Sequence, residues 1–414
     1  MMREMKNSGM GWIEAIPANW TVSRIGAVYK LRNTKVSDRD YPPLSVTMRG
    51  ILPQLETAAK TDAHDDRKLV CKGDFAINSR SDRRGSCGIS PFDGSISLIN
   101  TVLCPLTNMD PGYYNWLFHT DRFADEFYKW GHGIVDDLWT TGWQEMKNIL
   151  IPMPPLTEQK NISKFLDSEC EKIDNVKADI EKQIDALQKY KFSVITEAVT
   201  KGINGCKDLK STDVSWAPKI PSHWRVMPNK YLMKKIKTIC SVHQGEDIIS
   251  LSMNGVIVRD LDAGGKMPTS FNGYQFVYPG NLLMCLFDYD VTPRCIGYIN
   301  NYGITSPAYS QFEMKNNNVA KYYYYYYLMI DNTKELLHLA KNLRHSFTED
   351  ELGKINQIVP PTDEQEAIAQ YLDKKCADID LVIKDKELEL DKLEEYRKSF
   401  IYEYVSGKKE VPNE

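Results

Sequence analysis

Apolar positions along the chain follow two rhythms. In residues 1–153 and 203–359 they form short runs, such as LVCKGDFAIN (Leu69–Asn78) and YPGNLLMCLF (Tyr278–Phe287), bounded by turn residues. These segments read as compact lobes of short strands with a few helices, the helical candidates being Tyr113–Trp130 and Tyr322–Leu343. The other rhythm runs from Thr157 to about Thr200 and from Asp363 to about Val405, where Gly and Pro are missing and Glu, Lys, Ala and Leu dominate. Thr157 and Asp363, each just after a Pro-Pro pair, are candidate N-caps, and Gly202 and Gly407 candidate helix stops. In the first helix Leu166, Cys170, Ile173, Val176, Ile180, Ile184, Leu187, Tyr190 and Val194 recur every 3.5 residues on average, the heptad spacing of a coiled coil. The second follows at Leu372, Cys376, Ile379, Val382, Leu390, Leu393, Tyr396 and Phe400, with Lys386 interrupting it. Each stripe is too long for one lobe to cover, so pairing with each other is preferred over two helices packed separately.

The chain also repeats itself. IPANW (Ile16–Trp20) returns as IPSHW (Ile220–Trp224), an offset of 204, and PPLTEQ (Pro154–Gln159) as PPTDEQ (Pro360–Gln365), an offset of 206. FLDSECEKID from Phe165 and YLDKKCADID from Tyr371 are again 206 apart. This is a tandem duplication of a whole lobe plus helix, far longer than a solenoid repeat. A lobe stands between the two helices, so an antiparallel pair would set the second lobe at the far end of the rod with pseudo-two-fold symmetry. The 28-residue heptad segment spans about 42 Å, or about 12 base pairs of B-DNA, so the lobes would act as a ruler.

The 414 residues carry a net charge of −4, with 26% charged and 42% hydrophobic residues, an ordinary globular balance. Neither a membrane span nor a secretory leader is expected, and nine cysteines without a CxxC spacing read as reduced thiols of a cytoplasmic protein. There is no phosphate-loop motif, no His/Cys metal spacing among the seven histidines and no nucleophile elbow, so an enzyme in its own right is disfavoured. MPPL and VPPT lack the flanking residues of an NPPY-type methyltransferase motif and simply open helices.

The IPxxW openings, the PPxxEQ helix starts, the lobe–helix order repeated twice and the segment GDFAINSRSDRRGSCGIS (Gly73–Ser90) together resemble the specificity subunit of type I restriction-modification systems. The resemblance implies an α+β fold with two target recognition domains (1–153 and 203–359), a central spacer helix (154–202) and a distal one with the C-terminal tail (360–414), paired antiparallel. It further implies a non-catalytic chain binding double-stranded DNA with two copies of an adenine methyltransferase subunit and a restriction/translocase subunit. S-adenosylmethionine, ATP and magnesium would then belong to those partners, with no cofactor on this chain. A coiled-coil adaptor whose lobes bind proteins is the alternative, and a steep salt dependence of duplex binding would discriminate.

The two copies agree where scaffold is expected and differ where reading is expected. NSRSDRRGSCG (Asn78–Gly88) offers Ser79, Arg80, Arg83 and Arg84, guanidinium forks suited to guanine edges or phosphates. Its counterpart CLFDYDVTPRCIG (Cys285–Gly297) offers Asp288, Tyr289, Asp290 and Arg294. In KWGHGIVDD (Lys129–Asp137), Gly131 and Gly133 around His132 could let the backbone approach a phosphate or could simply end a helix; Arg344 and His345 stand at the equivalent place in the second lobe. Six consecutive tyrosines, Tyr322–Tyr327, suggest base stacking, but their alignment with YYNWLF (Tyr113–Phe118) favours a packed helix. By segment, the first lobe is neutral, the second +3, the first helix −1 and the last segment −6. The acidity therefore sits on the helices and does not oppose DNA at the lobes, although the isolated chain should bind it poorly.

Overall fold

The computed structural model describes residues 3–54, 64–106, 108–133, 139–261, 268, 270–340 and 345–412. The chain divides into two compact units, residues 1–181 with 387–414, and residues 182–386. The expected boundaries fell at the lobe–helix junctions. Packing instead joins each lobe to the adjoining stretches of both long helices, and the cut falls within the helices.

Both units are built on one plan. In the first, a four-stranded antiparallel sheet runs in the order Cys87–Ile89, Phe75–Asn78, Asn100–Pro105, Tyr29–Arg32. In the second, the equivalent order is Ile296–Tyr298, Leu282–Met284, Ser310–Met314, Met233–Ile236. Each unit adds a three-stranded sheet, a separate hairpin (Leu44–Thr47 with Gly50–Pro53; Ile249–Ser252 with Gly255–Val258) and two short strand pairs. The duplication read from the sequence motifs is thus a duplication of topology.

The long helices are Leu156–Lys201 and Thr362–Val405. Each starts one residue before its expected cap. The carbonyls of Pro155 and Pro361 accept the amides of Gln159 and Gln365 at 2.9 Å each, so Thr157 and Asp363 lie in the first turn. Gly202 and Gly407 end the helices as expected, with φ of +78° and +73°. Within the first unit the two helical stretches run antiparallel: Phe165 packs on Tyr404 at 4.8 Å, and Lys177 pairs with Glu394 at 2.5 Å. Within the second, Lys191 pairs with Asp380 at 2.6 Å, and Lys375 lies over the Tyr190 ring.

The heptad stripe is dry only in part. Leu166, Cys170 and Ile180 are buried, as are Leu372, Cys376, Ile379 and Phe400. Val176, Tyr190, Val382 and Tyr396 stay 44–54% exposed. Most of the buried stripe residues are seated on a lobe. Leu166 and Cys170 join a core with Trp20, Tyr113 and Val405, whereas Leu372 and Cys376 join one with Trp224, Tyr322 and Val199.

The helix expected over Tyr113–Trp130 is two helices, Pro111–Phe118 and Asp121–Lys129. Thr120 breaks it, its hydroxyl donating to the Leu117 carbonyl and accepting from the Phe123 amide as a cap. The expected Tyr322–Leu343 helix is Ala320–Asn332, followed by a short 3-10 turn at Leu337–Leu339. Of the tyrosine run only Tyr324 is less than fully buried, and most hydroxyls are used: Tyr322 donates to the Val199 carbonyl at 2.9 Å and Tyr325 to Asp373 at 2.8 Å. Burial pushes the hydroxyls of Tyr322, Tyr323 and Tyr327 far above their usual range. The run is core, as the alignment indicated.

Candidate nucleic-acid interface

In the first unit, strand Phe75–Asn78 delivers the chain to a 3-10 turn at Ser81–Arg83, from which it returns through Cys87–Ile89. Ser79 stays on the sheet, its hydroxyl 3.1 Å from that of Thr101. Arg80 and Arg83 flank a single acid, with their Nε atoms 3.3 and 3.8 Å from the Asp82 carboxylate, so the turn keeps a positive balance. Arg83 is the most exposed of the three arginines at 68%, while Arg84 reaches Asp125 on the Asp121–Lys129 helix.

His132 joins this turn through the backbone. The amide and carbonyl of Thr140 pair with those of His132 at 3.0 and 2.9 Å, and Ser81 donates to the Trp139 carbonyl at 3.0 Å. Thr141 in turn donates to the Ser79 carbonyl at 2.9 Å. Segment 139–141 thus seats the arginine turn beside His132, whose exposed ring lies 3.4 Å from Glu145. Gly131 has a packing duty: a Cβ there would stand 2.3 Å from the Trp139 indole nitrogen. Of the two readings offered for this segment, the helix-end one fits Gly131; residues 134–138 lie outside the described residues.

Beside this strip a cavity of about 940 Å³ opens in the same unit. Arg49, Arg84, Arg122, Arg397 and Lys398 line it against only Asp121 and Glu394, so it is net positive. Several of these cations are engaged: Lys398 is 3.1 Å from Asp121, and Arg397 lies over Trp116.

In the second unit, Asp288 adopts a left-handed φ of 47° and its amide donates to the Ser346 hydroxyl at 3.3 Å. Asp290 and His345 face one another at 3.2 Å. Desolvation works to raise the Asp290 carboxyl, but the hydrogen bond from His345 and those from backbone amides outweigh it and hold the group below the usual carboxylate range. The loop carrying Asp288 and Asp290 and the segment carrying His345 thus lie side by side; Arg344 lies outside the described residues.

Two expectations need correction. Tyr289 is 4% exposed, packed edge-on against Phe347 and covered on one face by Lys334, so it belongs to the core rather than to a reading surface. Arg294 is committed internally, with Nε donating to the Ile296 carbonyl at 3.1 Å and the two terminal nitrogens to the Met253 carbonyl at 2.9 Å and the Tyr324 hydroxyl at 2.7 Å. Its fork is filled by protein acceptors.

The two hairpins also leave a trace in the sequence. Their signal was a second repeat, TMRG (Thr47–Gly50) against SMNG (Ser252–Gly255), at an offset of 205. Among the described residues, no three His, Cys, Asp or Glu side chains converge as a metal site, and no helix is long and apolar enough to cross a membrane.

The same sheet-and-helix lobe is thus built twice, with unlike polar loops on a common frame and stretches of both long helices packed into each unit. Residues 294–390 match the type I restriction modification DNA specificity domain. The type I restriction enzyme MjaVIII specificity subunit of Methanocaldococcus jannaschii is 25% identical over 432 residues, spanning 96% of this chain and 95% of that one. The putative MjaX specificity subunit of the same organism is 36% identical over 83 residues, 20% of this chain and 18% of that one. A chain solved in work on complex assembly and conformational transition of the type I R-M system shares the fold with a TM-score of 0.72 at 13% identity, covering 95% of this chain and 99% of that one. The HsdS subunit from Thermoanaerobacter tengcongensis superposes with a TM-score of 0.50 at 17% identity, over 95% and 98% of the two chains. Along nearly its whole length the chain is thus similar to specificity subunits of type I restriction-modification systems.

Proposed function

We propose that this chain reads an asymmetric, bipartite DNA target, one lobe to each half-site, with the paired helices fixing the spacing. One observation carries the reading. The two units match in strand order and in scaffold contacts, yet Arg80, Arg83 and Arg84 stand in one loop where Asp288 and Asp290 stand in the other. Arginine forks suit guanine edges and phosphates, whereas a carboxylate accepts from cytosine N4, so unlike loops on like frames fit unlike half-sites.

The helices recruit two copies of an adenine methyltransferase subunit, and a restriction/translocase subunit completes the assembly in the cytoplasm. Methyl transfer and cleavage reside on those partners, with S-adenosylmethionine, ATP and magnesium bound there. The acidic second helix suits a partner-facing role, and the near-neutral lobes suit a reader that gains phosphate contacts from its partners.

Co-expression with the modification subunit, followed by genome-wide mapping of methylated adenine, tests the reading. A split, non-palindromic sequence is expected, with half-sites about one helical turn apart. Exchanging residues 16–153 for the lobe of another family member changes one half only. A formed complex that marks no split sequence, or an exchange that alters both halves, refutes it.

A further inference from the structure

The two hairpins are the same device built twice. In the first, the Thr47 hydroxyl donates to the Gly50 carbonyl at 2.9 Å and accepts the Arg49 amide at 3.1 Å. In the second, Ser252 makes the same pair of bonds to Gly255 and Asn254 at 3.0 and 3.2 Å. Both turns close on a glycine in the left-handed region, with φ of +99° at Gly50 and +97° at Gly255. Both are braced from below by a glycine on the neighbouring strand. A Cβ on Gly88 would stand 2.8 Å from the Gly50 Cα, and one on Gly297 would stand 2.4 Å from Val256. The turns are thus pinned against the sheet, with their tips in solvent.

The tips differ in one residue. Each carries a methionine, Met48 at 72% and Met253 at 65% exposure, among the most exposed large apolar side chains of the protein. The next position is Arg49 in one copy and Asn254 in the other, both exposed. Among the described residues Arg49 makes no ion pair and the side-chain carboxamide of Asn254 makes no hydrogen bond. A pinned scaffold, a shared apolar contact and one variable free polar group is the arrangement expected of a probe that enters the same kind of site twice and reads a different letter each time. A two-stranded ribbon fits the major groove, where arginine forks onto guanine O6 and N7 and asparagine onto adenine N6 and N7. The flexible thioether of methionine adapts to a neighbouring base edge. Arg294 ties the second tip to the loop after Met284, and Met48 lies over Gly85 beside the arginine turn, so each probe adjoins the loop discussed above.

We propose that the hairpin tips are base-reading elements, and that Arg49 and Asn254 give the two half-sites different letters, guanine opposite Arg49 and adenine opposite Asn254. This rests on the DNA-reading role proposed above.

The test maps methylated sites for the complex of the full chain with its modification subunit. Arg49→Ala relaxes one guanine position in one half-site, lowering its preference about 5- to 150-fold, and leaves the other half intact. Arg49→Asn shifts that position toward adenine, and Asn254→Ala relaxes one adenine in the opposite half. If the wild-type complex marks no split sequence, the DNA-reading role itself fails, and this assignment with it. If the wild type marks a split sequence but the variants leave every position unchanged, the hairpin assignment alone fails. It also fails if Arg49→Ala weakens all sites uniformly, since that is the behaviour of a phosphate contact.

Discussion

The indole nitrogen of Trp20 donates to the carboxylate of Glu158 at 2.8 Å, joining the IPxxW opening of the lobe to the PPxxEQ start of the long helix. Its twin is the bond from Trp224 to Glu364 at 2.9 Å. Both indoles are fully buried, so the N–H has no water to fall back on. The adjacent glutamines complete the joint: Gln159 accepts the Asp110 amide and donates to the Pro154 carbonyl, as Gln365 does with Val319 and Pro360. Glu158→Ala or Glu364→Ala should each cost about 1–3 kcal/mol, since a buried donor loses a charged acceptor. Urea unfolding of the full chain checks this, and an unchanged midpoint for both variants would remove the joint from any role in stability.

Gly202 and Gly407 end the two helices with nearly the same φ but in different surroundings. A Cβ at Gly202 would come no closer than 3.5 Å to Trp224, whereas one at Gly407 would stand 2.5 Å from the Pro17 ring and 2.9 Å from Trp20. Gly202→Ala should therefore cost only the left-handed backbone penalty, about 1–2 kcal/mol. Gly407→Ala adds a collision with a rigid ring, for about 2–5 kcal/mol in all. Thermal unfolding of the two variants side by side measures the difference, and equal losses would show that the backbone term alone decides.

The duplication, both long helices and the core role of the tyrosine run were legible because each leaves a periodic or repeated trace. The heptad pattern could not show where lobe contact dries the stripe and where it stops, which is why Leu166 is buried and Val176 is half exposed. The break at Thr120 leaves no trace in composition, because a helix cap depends on one hydroxyl meeting one amide. In the polar loops the burial of individual side chains is not legible in the sequence. Tyr289 and Arg294 look free in sequence, yet they are claimed by Phe347, Lys334, Met253 and Tyr324, which lie 30 to 58 residues away. Long-range claims of that kind leave no local signature.

Arg294 should behave as a rivet. Arg294→Ala removes three hydrogen bonds spanning the hairpin turn, the strand and the tyrosine helix, with an expected loss of about 1–3 kcal/mol. Arg294→Lys should recover little, since one ammonium cannot serve three acceptors set out for a planar fork. Full recovery of the unfolding midpoint by lysine would mean that charge, not the fork, matters there.

The Lys177–Glu394 pair gives the helix contact of the first unit a pH signature. The hydrogen bond from Lys177, opposed by partial desolvation and aided by the charges of Lys177, Arg397 and Lys398, holds the Glu394 carboxyl below its usual range. A carboxyl depressed in the folded state contributes stability that is complete above its unfolded value, about 4.5, and is lost as pH falls through the lower folded value. Both side chains are partly exposed, so the contribution is small and salt-sensitive. Carbon-detected NMR titration of Glu394 should show a midpoint below the ordinary carboxylate range, and Lys177→Met should raise it. The same substitution should flatten the acid limb of the stability curve below about pH 4.5 while leaving the neutral region little changed. A Glu394 midpoint that does not move in Lys177→Met would assign the depression to Arg397 and Lys398 instead.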